Sequence, residues 1–110
     1  MAAMKIKDWN IEAMTGYKPI TTFYMDFSIA DRFGIDAILD TYKRAMKDWK
    51  RDYRYLTELV MALNWKIWEH WDSGNEKVAR FYNRLWEEAA EYAKKNLKGK
   101  ELDYYYRTTD

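Results

Sequence analysis

The chain has 110 residues, with 19 Lys and Arg against 18 Asp and Glu, a single His and no Cys. That length suits one domain; the missing Cys removes disulfide scaffolds, thiolate-held zinc, iron–sulfur clusters and thiol nucleophiles; and a formal charge of +1 gives no global pull toward nucleic acid or an anionic membrane. No run reaches the ~20 apolar residues of a membrane span, and the opening MAAMKIKDWN lacks the apolar stretch of a signal peptide, so a soluble, cytoplasmic protein without membrane partners is expected.

Residues 1–33 hold a turn bracketed by Gly16 and Pro19. Ile6, Trp9, Ile11, Ile20, Phe23, Phe27, Ile29 and Phe33 make them apolar enough to pack on whatever follows. They read as short helical pieces forming an N-terminal arm. After Gly34 the pattern becomes helical: Ile35, Ile38, Tyr42, Ala45, Met46, Trp49 and Tyr53 follow steps of three and four and share a face. Asp36 and Asp40 precede Lys43, Arg44 and Lys47, the charge order that a helix dipole favours.

A second helix is predicted from about Tyr53 to Trp71, with Leu56, Val60, Leu63, Ile67 and Trp71 as its main stripe. A break is expected near Asp52, because one helix over 35–71 would run about 55 Å. A third helix is expected from a Ser73 or Asn75 cap to about Asn96, with Val78, Phe81, Tyr82, Leu85, Ala89, Tyr92 and Ala93 inward. On its outer side Glu87, Glu88 and Glu91 read as a solvated face. Short turns between these elements imply a three-helix antiparallel bundle over 35–97. The expected architecture is therefore a single all-α domain, with a short helical N-terminal arm over 1–33 and a tail over 98–110.

Function has fewer handles. Opposite its main stripe the second helix carries Met61, Trp65 and Trp68, with Glu58 and Asp72 on the same line. A helix apolar on two sides is usually sandwiched, and the N-terminal arm could cover this one. The alternative is a Trp and Met strip that binds another protein or a second copy, with Glu58 and Asp72 as polar rim. Tyr104, Tyr105 and Tyr106 join the candidate contacts, since three adjacent rings cannot all face one core from a helix. A basic stripe of Lys43, Lys47, Lys50, Arg51 and Arg54 beside aromatic residues offers a less favoured nucleic-acid reading. His70 stands alone, and the Glu-x-x-His spacing of di-iron bundles is broken by Ile67, so no metal or other cofactor is expected. Ser28 and Ser73 read as helix caps, no Gly-rich phosphate loop exists, and no catalytic residue is assigned. A non-enzymatic protein follows.

The stretches TGYKPITTFYMDFSIADRFG (15–34), YLTELVMALNWKIWEH (55–70) and LKGKELDYYYRTTD (97–110) resemble an uncharacterised family of small proteins encoded on phages and mobile elements of gut Firmicutes. The resemblance carries no site residues. It implies a genomic setting in which small proteins often act as host-takeover factors or as inhibitors of host defence nucleases, anti-CRISPR proteins among them.

Overall fold

The computed structural model describes residues 20–49, 52 and 54–109. Regular structure among the described residues is entirely helical: α1 Ile20–Asp31, α2 Ile35–Asp48, α3 Arg54–Asp72, α4 Glu76–Asn96 and α5 Lys100–Thr109. The all-α expectation holds. The three-helix description does not cover these five helices. Parts of the expected arm and tail are full helices, because each buries a face: Phe23, Phe27 and Ala30 from α1 and Tyr105 from α5 complete one core. The rest of the expected arm, residues 1–19, lies outside the described residues.

The chain breaks where expected. The Asp52 carboxylate accepts the Arg54 backbone N–H at 2.9 Å and caps the start of α3. Between α1 and α2 the reversal takes only three residues. Gly34 adopts φ 105°, a conformation that L side chains avoid, while its N–H still bonds to the Ala30 carbonyl.

α3 is the central rod and touches all four other helices, whereas α2 leans mainly on α1. Tyr55, Leu56, Leu59, Val60, Ala62, Leu63 and Ile67 are buried along α3. Against them α4 supplies Ala79, Ala89, Ala90 and Ala93, small enough for close approach, together with Tyr82 and Leu85. α2 is tied to α4 by polar contacts: the Tyr42 hydroxyl donates to Glu88 at 2.7 Å and the Trp49 indole to the Tyr92 hydroxyl at 3.1 Å.

Three expected core residues lie at the surface. Ile29 and Phe33 are 56% and 76% exposed, because α1 buries the Phe23–Phe27–Ala30 side and these two point elsewhere. Trp71 sits in the last turn of α3 and meets the Arg80 guanidinium instead of the core. No helix among the described residues is long and apolar enough to cross a membrane.

Candidate functional site

The strip on α3 is open. Trp65 is 42% and Trp68 60% exposed, and Trp71 continues them toward the helix end. Trp65 meets Tyr24 in a T-shaped contact, with ring centroids 5.8 Å apart. Met61 is half-buried in a groove of about 240 Å³, shared with Tyr105 and Tyr106 of α5.

The three tail tyrosines divide as helical spacing requires. Tyr106 is exposed and packs edge-on against Tyr105. Tyr104 is half-buried and donates to Glu58 at 3.2 Å. Tyr105 is buried in the core, which removes it from the candidate contacts. Glu58, expected as rim, is buried beneath α5; Asp72 is exposed. Ser28 is no cap, since it lies inside α1 and accepts a hydrogen bond from Lys66.

The basic stripe is divided too. Lys43 and Lys47 are exposed on α2. Arg54 belongs to α3, where its guanidinium donates twice to Asp52, at 3.0 and 2.7 Å. Lys50 and Arg51 lie outside the described residues.

The strongest electrostatic feature is one that sequence reasoning missed. Lys66 of α3 is completely buried, and its ammonium lies 2.7 Å from Asp31 Oδ2 and 2.8 Å from Glu69 Oε2. It donates a third bond to Ser28 Oγ at 3.1 Å. An ammonium has three protons, so all three are used. Tyr24 lies beside it, with its ring centroid 4.9 Å from Nζ and its hydroxyl donating to Glu69. Tyr82 donates to Asp31 Oδ1 at 2.5 Å. His70 stacks on the Tyr82 ring and places Nε2 3.0 Å from Asp31 Oδ2, while Asn75 Nδ2 approaches Nδ1 at 3.3 Å. The contact with His70 explains why Asn75 makes no side-chain cap to α4.

Burial pulls the Lys66 ammonium down, but the bonds and charges of Asp31 and Glu69 outweigh it and hold it above its ordinary value. Burial likewise raises the Glu69 carboxyl, yet Lys66 and Tyr24 bring it below the usual range. Burial, then the bond to Asp31, drive the Tyr82 hydroxyl far up. Asp31 stands in the last turn of α1, where the helix dipole disfavours a carboxylate; the cation of α3 offsets this.

Asp31, Glu69 and His70 could supply three metal donors, with ligating atoms within 4.8 Å of one another. The Lys66 ammonium stands against both carboxylates and already pairs their charge. A saturated, protonated lysine is also no nucleophile. The cluster therefore fits a role in joining α1, α3 and α4.

Comparison with known proteins finds no matching family, no matching curated protein and no matching solved structure.

Proposed function

We propose that the chain is a non-catalytic protein-binding domain that associates with a second copy of itself through the outward strip of α3. The observation that carries this reading is the exposure of Trp65 and Trp68. Trp is a preferred interface anchor because one rigid ring removes a large apolar area from water. The strip is the bare continuation of a surface already used within the molecule. α5 covers α3 around Glu58 and Met61. Trp65 and Trp68 follow Met61 by four and seven residues, and so lie on the same side one and two turns further on. Met61 and Tyr106 border the strip and would add adaptable and aromatic contact. The saturated lysine cluster supports the non-catalytic part of the reading.

Sedimentation velocity over a range of concentrations, on wild type and on the Trp65→Ala/Trp68→Ala variant, is the direct test. The expected result is association of the wild type and loss of association in the variant, with helicity and cooperative melting retained. Collapse of the variant's fold would assign the two rings to the core, and a wild type that stays monomeric would end the self-association reading.

A further inference from the structure

The outward seam between α3 and α4 is filled along only part of its length. At one end α5 lies across it, where Met61, Asn64, Trp86, Ala90 and Tyr106 line a shared groove. At the other end Trp71 meets Lys77, Arg80, Asn83 and Arg84 around an open groove of about 590 Å³. Asn64 and Trp71 are seven residues apart, as are Asn83 and Ala90, so both grooves run along the same side of both helices. The open end is lined by three cations, an amide and an indole, with no carboxylate among them.

The complementary charge is present on the same helix. Lys77, Arg80, Arg84, Glu87 and Glu91 follow steps of three and four along α4, and all five are exposed. They form one stripe, basic toward the start of the helix and acidic toward its end.

We propose that this stripe docks on the same stripe of a second copy, antiparallel, about a twofold axis passing between residues 84 and 87. In this register Arg84 faces Glu87 of the second copy and Arg80 faces Glu91, each crossing occurring twice as twofold symmetry requires. The pairs already made by these residues, Arg80 with Glu76 and Glu91 with Lys95, are exposed helix-surface contacts. Such contacts are worth little, so sharing them costs little. Lys77 and Lys94 come together only at the two ends, where solvent and salt screen them. Nucleic acid is the weaker occupant, because Glu87 and Glu91 continue the stripe and repel phosphate.

This inference rests on the self-association reading and adds a contact surface on α4 beside the α3 strip, the two meeting at Trp71. Its test uses Arg84→Glu, Glu87→Arg and an equimolar mixture of the two variants, all as full chains, followed by sedimentation velocity. Each variant alone sets like charges together at both central crossings, and should weaken association by about tenfold or more. The mixture restores opposite charges at both crossings, and should associate to within about threefold of wild type. Circular dichroism should be unchanged throughout, since both residues are exposed. Wild-type association that is indifferent to both variants would overturn this register and leave self-association standing. Failure of the mixture to recover would overturn the antiparallel twofold. A wild type monomeric at every concentration would overturn both readings. So would a monomer whose binding to an oligo-dT strand is lost in Arg84→Glu, which would hand the groove to nucleic acid.

Discussion

Asp31 and Lys66, thirty-five positions apart, meet at 2.7 Å and fasten the end of α1 to the middle of α3. The lysine is fully buried and bonded to three oxygens, so its environment is built around a charge. A buried ion pair offers little net gain over an apolar one, but removing a single partner strands the other. Lys66→Met is therefore expected to cost about 3–5 kcal/mol in urea unfolding. The triple variant Lys66→Met/Asp31→Asn/Glu69→Gln should recover part of that loss, because no uncompensated carboxylate remains. Equal instability of the single and triple variants would show that packing of the lysine stem, rather than charge, is what the site needs.

Stability should fall at both extremes of pH. Glu69 titrates below its unfolded value in the folded protein, so its contribution is present above the unfolded pKa and is lost as pH falls through the folded one. Asp52, lowered chiefly by its bond to the Arg54 guanidinium, adds to the same acid limb. Lys66 titrates above its unfolded value, so its contribution is complete below the unfolded pKa and is lost as pH rises through the folded one. Thermal melting across pH should show a plateau near neutrality with a fall on each side. Glu69→Gln should flatten the acid side and Lys66→Met the alkaline side; an unchanged acid limb in Glu69→Gln would remove Glu69 as its source.

Tyr82 and Tyr106 provide a matched pair. Tyr82 is fully buried and its hydroxyl donates to the Asp31 carboxylate, whereas Tyr106 is exposed. Removing a hydrogen bond to a charged group costs about 1.5–3 kcal/mol, so Tyr82→Phe should lower the urea midpoint clearly. Tyr106→Phe should leave it within about 0.5 kcal/mol of wild type. A neutral Tyr82→Phe would mean that Asp31 is held by Lys66 and His70 alone.

What the sequence made legible follows from what periodicity can see. The long helices announce themselves through three- and four-residue steps, and the break near Asp52 through the length that a single helix over 35–71 would reach. α1 is harder, because its apolar residues surround the helix and do not say which side is inward. Phe23 and Phe27 go in while Ile29 and Phe33 stay out, a choice made by the approach of α3 and α2. The tail was obscure for a similar reason: only packing decides that Tyr105, among three adjacent tyrosines, turns to the core. Lys66 left a faint trace. It falls among Leu59, Ala62, Leu63, Ile67 and His70 on the inward arc of α3, a register where a cation is out of place without acids from elsewhere. One acid, Glu69, is three residues away, but Asp31 arrives from another helix, and no local pattern could reveal it.

The same cluster yields a metal prediction. In the wild type the Lys66 ammonium lies against both Asp31 and Glu69, so zinc should leave the melting temperature unchanged. Lys66→Ala removes the competing cation and leaves two carboxylates and an imidazole, whose ligating atoms lie within 4.8 Å of one another. Oxygen and imidazole donors in that number suit a zinc site completed by water. A ligand that binds only the folded state stabilises it by mass action. Zinc should therefore raise the melting temperature of Lys66→Ala, and cobalt should give the visible absorption of a low-coordinate site. Both effects should vanish in Lys66→Ala/His70→Ala. If zinc stabilises the wild type equally, the lysine does not guard the site; if it stabilises neither protein, the three donors are held too rigidly for one ion to satisfy them.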